Sequence, residues 1–331
     1  MSVPTVVIYT EHPFSFWCFP EWGLEELRQR FPSVRFHLVR QEAELLDVLP
    51  SADVYLGWQF RPEWLTHAPR LRWIHSPAAG VRRLMFPELV DSPIVVTNAR
   101  GIHAVVIAEH VIGVMILLYR QFLQCWEFQR RRHWGNEDLI GSAQGLLELA
   151  DRTVLVLGYG ALGQAIGRRA RALDMHVWAA RRHPERESPY AERTGSLTDA
   201  VEWLPEADFV VITLPHTEAT HGWMDRTKLE RMKPTAYLIN VARGAIVREA
   251  DLIEALQTRR IAGAALDVFS QEPLPPESPL WTLPNVFITP HVAGVASDRH
   301  WPRVIRQFAD NLERFLRGQP LQNVVDKRLG Y

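Results

Sequence analysis

Short apolar runs rich in β-branched residues punctuate the first hundred positions: Val6-Val7-Ile8-Tyr9, Val34-Arg35-Phe36-His37-Leu38, Val54-Tyr55-Leu56, Leu71-Arg72-Trp73-Ile74-His75 and Ile94-Val95-Val96-Thr97. Segments of helical spacing or proline separate them, and strands alternating with helices predict an α/β domain. An apolar stretch then runs from about Ala104 to Phe122. Glu109 and His110 interrupt it, and it is short for a bilayer span, so it predicts a buried helix. After a polar segment containing Trp and Gly, the rhythm restarts at Thr153-Val154-Leu155-Val156-Leu157. It continues through Met175-His176-Val177-Trp178, Phe209-Val210-Val211-Ile212, Ala236-Tyr237-Leu238-Ile239, Ala262-Gly263-Ala264-Ala265-Leu266 and Val286-Phe287-Ile288. This second series predicts a doubly wound parallel sheet, and after Pro290 one more helix follows, from about Ser297 to Arg317.

The 331 residues, 47% hydrophobic and 23% charged, suffice for two cores. A formal net charge of −1 sets up no overall field for nucleic acid or an anionic membrane, so an anionic small molecule must be held by local groups. The run Arg130-Arg131-Arg132-His133 is the strongest basic cluster and reads as a solvated or dimer-facing loop. Cys18 and Cys125 are too few for a disulfide framework, and the first residues do not read as a signal peptide, which together point to the cytoplasm. Histidines outside the candidate site lack paired ligand spacing, so no metal site is expected.

Gly158-Tyr159-Gly160-Ala161-Leu162-Gly163 follows one strand directly and opens a helical run. The first two glycines permit a tight turn and close approach of a pyrophosphate, and the third lets helix and strand pack. Unpaired N–H groups at the helix start favour an anion there. At the end of the following strand an acid would select the ribose 2′-hydroxyl of NAD, but this chain reads Ala179-Ala180-Arg181-Arg182-His183. Arg181, with Arg182 as a second donor, can fork onto a 2′-phosphate, which favours NADP(H) and leaves NAD(H) as the lesser cofactor. Two arginines at a strand end can also simply be solvated.

Three later segments each deliver a polar residue from an apolar setting near a strand end: Asn240-Val241-Ala242-Arg243-Gly244, Asp267-Val268-Phe269-Ser270-Gln271-Glu272-Pro273 and Thr289-Pro290-His291-Val292-Ala293-Gly294. Reducing a 2-oxo acid requires a cation for the carboxylate, a proton donor for the carbonyl oxygen and a group that keeps the donor charged. Arg243, His291 and Glu272 match those roles. Singly, each has a plainer explanation: a surface ion pair, a buried or capping imidazole, a solvated loop acid.

Together with the glycine turn, these segments resemble the D-isomer-specific 2-hydroxyacid dehydrogenase family, from about Leu71 to the C-terminus. The run Glu272 to Trp281 and the ending Gly330-Tyr331 look like its glyoxylate/hydroxypyruvate reductase A branch, which uses NADPH. The resemblance implies a Rossmann cofactor domain over 102–294 and a smaller flavodoxin-like α/β substrate domain built from 1–101 and 295–331. It implies cofactor contacts from Gly158, Gly160, Ala161, Leu162, Gly163, Arg181, Arg182, Leu214, Pro215, Thr217, Ala242, Asp267 and His291. Substrate contacts would come from Trp58, Ala79, Gly80, Arg243 and His291, with the 78–81 backbone meeting the carboxylate. A homodimer built largely on 103–150 is also implied. Departures from the pattern are Arg82 and Arg248, where acids or Asn are usual, and Thr235 for a common Gly; two added cations could favour a more acidic substrate. Rival readings are an NAD-dependent phosphoglycerate or D-lactate type dehydrogenase, against which Arg181 argues, and a nucleotide-sensing corepressor-like protein, against which the full set of three residues argues.

Overall fold

A computed structural model describes residues 3–81 and 84–330. The chain forms two compact units, one built from the residues up to Ile102 together with those from Ala296 onward, the other from His103–Val295.

In the first unit, strands β1 (Thr5–Tyr9), β2 (Arg35–Val39), β3 (Val54–Gly57), β4 (Trp73–Ser76) and β5 (Val95–Asn98) form a parallel sheet in the order β2-β1-β3-β4-β5. Successive residues of β1 serve opposite faces. Val6 and Ile8 join a core with Trp301, Val304, Ile305 and Phe308 of the helix His300–Leu316, whereas Val7 and Tyr9 join Leu45, Tyr55 and Trp64. Because both faces are covered, the strands read as continuous apolar runs rather than alternating ones. Each fully buried Val, Ile or Phe side chain contributes roughly 1.5–3 kcal/mol.

The second unit holds a parallel sheet of β6 (Thr153–Leu157), β7 (His176–Ala180), β8 (Arg193–Gly195), β9 (Phe209–Ile212), β10 (Tyr237–Asn240), β11 (Gly263–Leu266) and β12 (Val286–Ile288), in the order β12-β11-β10-β9-β6-β7-β8. Leu155 and Leu157 face one core, Val154 and Val156 the other. Register aligns the strand ends: Leu157 lies opposite Ala180 and Ile212, Ile212 opposite Asn240, Asn240 opposite Leu266, and Leu266 opposite Ile288. Six loops therefore leave one edge of one sheet at one level. Strand order reverses beside β6, the position where open α/β sheets take their ligands.

Every strand expected from the apolar runs is present, with ends shifted by a residue or two. The sequence reading had no counterpart of β8, which is three residues long and contains one arginine, one threonine and one glycine. The apolar helix spans Ala104–Tyr119 and buries Ile107, Ala108, Val111 and Met115 among other residues. It stops short of Phe122 because Gln121 takes a left-handed conformation (φ 52°), and a second helix, Phe122–Arg131, leaves at 61°. That helix and another at Asn136–Ile140 replace the polar loop expected there. Among the described residues no single helix is long and apolar enough to cross a membrane. Arg82, one of the unusual cations, and Tyr331 lie outside the described residues.

Candidate active site

The glycine turn after β6 is built as a phosphate turn must be. Gly158 adopts φ 102°, and a Cβ there would sit 2.8 Å from the Leu214 nitrogen, so no side chain fits. Thr213 Oγ1 donates to the Gly158 carbonyl at 2.6 Å and locks the turn against the end of β9. Gly160 faces open space. It precedes the helix Ala161–Arg171, whose first N–H groups receive no side-chain cap and remain available to an anion. A Cβ on Gly163 would come within 2.8 Å of the Gly158 carbonyl, which explains the third glycine. These features fit a dinucleotide pyrophosphate.

At the end of β7, Arg181 pairs its backbone N–H with Gly195 of β8 at 2.8 Å, so the unanticipated edge strand is what fixes this arginine. Its Nη1 donates to the Glu187 carbonyl at 2.8 Å and to Ser188 Oγ at 3.3 Å. Arg182 is exposed. Leu214 is buried in the core, while Pro215 and Thr217 are held by Thr220, whose Oγ1 donates to the Pro215 carbonyl at 2.7 Å and accepts from the Thr217 nitrogen at 2.8 Å.

At the β11 and β12 ends the structure brings together two of the three expected chemical residues. His291 Nδ1 lies 2.6 Å from Glu272 Oε2, an ion-pair geometry with the imidazole 47% and the carboxylate 35% exposed. The other oxygen, Oε1, accepts from the Phe269 nitrogen at 3.0 Å, so the carboxylate is held from both sides. With Nδ1 committed to Glu272, Nε2 is the ring nitrogen left to exchange a proton. His291 itself has φ 54°, a conformation that costs a non-glycine residue energy and is sustained here by neighbouring bonds.

Those bonds come from Asp267, expected among the cofactor contacts. It is 2% exposed, and its Oδ1 accepts from Thr289 Oγ1 (2.6 Å), the Val292 nitrogen (2.9 Å) and the Ala293 nitrogen (3.0 Å). Oδ2 also accepts from the Ala293 nitrogen at 3.0 Å, and the Asp267 carbonyl accepts from the His291 nitrogen at 2.8 Å. Asp267 thus clasps the whole turn that presents His291. Sequence reasoning gave this residue no such role; an acid directly after an apolar strand was the one available signal.

Arg243 is exposed beyond the end of β10, with Nη1 donating to the buried Ala242 carbonyl at 2.6 Å. Buried Asn240 braces the segment by accepting from the Ala242 nitrogen (3.1 Å) and donating to the Arg243 carbonyl (3.1 Å). Gly244 carries the close approach of this segment to the one bearing Glu272: a Cβ there would collide with the backbone of Phe269 and Ser270. Glycine at 244 is therefore required for packing, a constraint not visible before the two segments were placed side by side.

The remaining expected residues belong to the first unit. Trp58 donates its Nε1 to the Trp17 carbonyl at 2.9 Å and stacks on His300 with ring centres 6.0 Å apart. The loop after β4 is tied to β5 by Asn98, whose Nδ2 donates to the Ala79 carbonyl at 2.6 Å, and by the Ala99 nitrogen on the Ala78 carbonyl at 3.1 Å. Gly80 is exposed.

Residues 112–293 match the family model described as D-isomer specific 2-hydroxyacid dehydrogenase, NAD binding domain. The chain belongs to the D-isomer-specific 2-hydroxyacid dehydrogenase family. Among the relatives of this dehydrogenase, a glyoxylate reductase of Pyrococcus furiosus is 31% identical over 94% of both chains. A glyoxylate/hydroxypyruvate reductase B of Pectobacterium carotovorum is 31% identical over 86% of this chain and 91% of its own. Among solved structures, an NADPH-dependent glyoxylate/hydroxypyruvate reductase from Sinorhizobium meliloti, in complex with NADP and sulfate, superposes with a TM-score of 0.81 at 27% identity, covering 99% of this chain and 100% of that one. D-3-phosphoglycerate dehydrogenases also match, the dehydrogenase described here spanning about half of their length.

Proposed function

We propose that this NAD(P)-dependent 2-hydroxyacid dehydrogenase reduces a small 2-oxo acid of the glyoxylate or hydroxypyruvate type to its D-2-hydroxy acid, with NADPH preferred over NADH. The observation that carries the proposal is the His291–Glu272 pair at 2.6 Å, on the sheet edge that also bears the glycine turn, Arg181 and Arg243.

The turn Gly158–Gly163 and the helix after it would hold the pyrophosphate, and Arg181 with Arg182 the 2′-phosphate. Leu214, Pro215, Thr217 and Ala242 would border the remaining length of the cofactor, with Asp267 contributing through the turn it clasps. When bound, the reduced nicotinamide supplies the hydride. The protein's own part is to orient a carboxylate on the Arg243 guanidinium and to deliver a proton from His291 Nε2 to the carbonyl oxygen. Glu272 orients the ring and offsets the charge of its imidazolium form. In the other unit, the braced loop at Ala79 and Gly80 suits a carboxylate and Trp58 offers an apolar wall. The relatives named glyoxylate reductase support the substrate class. The arginine at 181, where an acid would select NAD, supports NADPH and argues against the phosphoglycerate type.

We also infer a homodimer through the region 103–150. The helix Phe122–Arg131 buries none of its residues and leaves Phe122, Leu123 and Trp126 exposed, with Trp134 beyond it 88% exposed. A surface this apolar is ordinarily covered by a partner. The two cysteines, neither in a disulfide, support a cytoplasmic setting.

The test of function is oxidation of NADPH and of NADH by purified enzyme against a panel headed by glyoxylate and hydroxypyruvate. A charge-assisted phosphate contact implies roughly ten- to hundredfold higher kcat/KM with NADPH. Equal use of both cofactors would remove the role given to Arg181, and no turnover on any 2-oxo acid would overturn the reading.

A further inference from the structure

The segment following Arg181 is held by three hydrogen bonds, two from Arg181 and one from Tyr159, that no catalytic role explains. Residues 182–187 and Tyr190 are solvent-exposed, yet the loop folds back so that the Glu187 carbonyl and Ser188 Oγ meet Arg181 Nη1. Two residues after Glu187, the Pro189 carbonyl accepts a 2.6 Å hydrogen bond from the hydroxyl of Tyr159, the residue between the first two glycines of the phosphate turn.

Tyr159 is seated with care. It is 1% exposed, and its ring lies in a slot cut by two glycines of the following helix: a Cβ on Gly163 would stand 3.1 Å from the ring, and one on Gly167 would collide with the hydroxyl. Burial pushes its phenol up to about 12, so it stays a proton donor at neutral pH. Its backbone nitrogen donates to the Ala180 carbonyl at 3.0 Å, beside that of Gly158 at 2.9 Å. One residue thus joins the phosphate turn, the end of β7 and the exposed loop. Both internal bonds of the Arg181 guanidinium use Nη1, so its Nε–Nη2 edge has no hydrogen-bond acceptor among the described residues and can meet an external phosphate.

We infer that the Tyr159 hydroxyl is a positioning residue for cofactor selectivity: by pinning Pro189 it holds the 187–189 backbone against Arg181 and so aims the guanidinium at a 2′-phosphate. This rests on the NADPH reading above and deepens it. A guanidinium on a loose loop would lose freedom on binding, whereas one already pinned has less to lose.

The test uses calorimetric titration of the full chain with adenosine 2′,5′-bisphosphate and with adenosine 5′-monophosphate, which differ only in the 2′-phosphate. Tyr159→Phe keeps the ring in its slot and deletes one hydrogen bond, and is expected to weaken the bisphosphate about fivefold while changing the monophosphate less than about twofold. In an Arg181→Ala background the same change is expected to leave the ratio of the two affinities unaltered, because the hydroxyl acts through that arginine. Ser188→Ala, which removes the second internal acceptor of Arg181, is expected to lower the ratio as well and serves if Tyr159→Phe fails to fold. A preserved ratio in folded Tyr159→Phe, an equal loss for both ligands, or a persisting effect without Arg181 overturns the inference while leaving the NADPH reading intact. Wild-type enzyme that binds both ligands equally overturns the two together.

Discussion

His75 and His291 belong one to each unit and would look alike to any reading of residue type. His75 lies within β4, fully buried, with Nδ1 2.8 Å from Thr97 Oγ1 and the rings of Trp73 and Phe308 within about 6 Å. Burial holds its pKa down near 3, so it is a neutral core residue at any working pH. His291 stands three residues beyond β12, half exposed, on a left-handed turn clasped by Asp267 and against a carboxylate. One environment removes the charge and the other supplies a counter-charge and a free ring nitrogen. Chemistry resides where the chain accepts backbone strain and solvent exposure to present a group, while the same residue type elsewhere is packing.

That contrast can be broken at its sharper end first. His291→Ala is expected to lower kcat by about 10²–10⁴, the usual worth of a positioned general acid, with NADPH binding retained by calorimetry. Loss of binding to the same extent would make His291 a cofactor ligand and not a proton donor. Gly244→Ala, which changes no chemical group, is expected to cost about 1–3 kcal/mol of stability. It should also lower kcat by about 10², since the Phe269 backbone that supports Glu272 must move. Wild-type rates in a folded Gly244→Ala enzyme would show that the Glu272 segment tolerates displacement.

The smallest effect is at His75. Its folded pKa, near 3, lies below the ordinary 6.5, so the unfolded chain takes up the proton first. The stability that the neutral ring contributes is whole above pH 6.5 and declines as pH falls toward 3, by about 1.4 kcal/mol per pH unit. Between pH 7 and pH 5, denaturant unfolding of His75→Gln should therefore lose about 2 kcal/mol less than the wild type. Identical acid slopes in the two proteins would place the acid sensitivity elsewhere.

Much of this was legible beforehand because doubly covered parallel strands advertise themselves as unbroken apolar runs, and because glycine turns carry their reason in the backbone. Gly158 and Gly163 were readable for that cause, and Glu272 and His291 as polar residues delivered just beyond apolar strands. What stayed hidden depends on partners distant in sequence. Strand β8 has three residues and little apolar character, yet it fixes Arg181. The helix Phe122–Arg131 buries nothing within its own chain, so its periodicity has no core to betray it. Asp267 was expected against the cofactor, but the clasp it makes, like the bond of Tyr159, runs to backbone groups whose positions the sequence does not disclose.

The most direct measurement of the central claim is rescue of His291→Ala by free imidazole. If His291 delivers the proton, turnover of glyoxylate with NADPH should rise with imidazole concentration and rise more at the lower pH, where more of the added base is imidazolium. A rate that stays flat across imidazole concentrations, in an enzyme that still binds NADPH and substrate, would contradict the assignment of His291 as the acid.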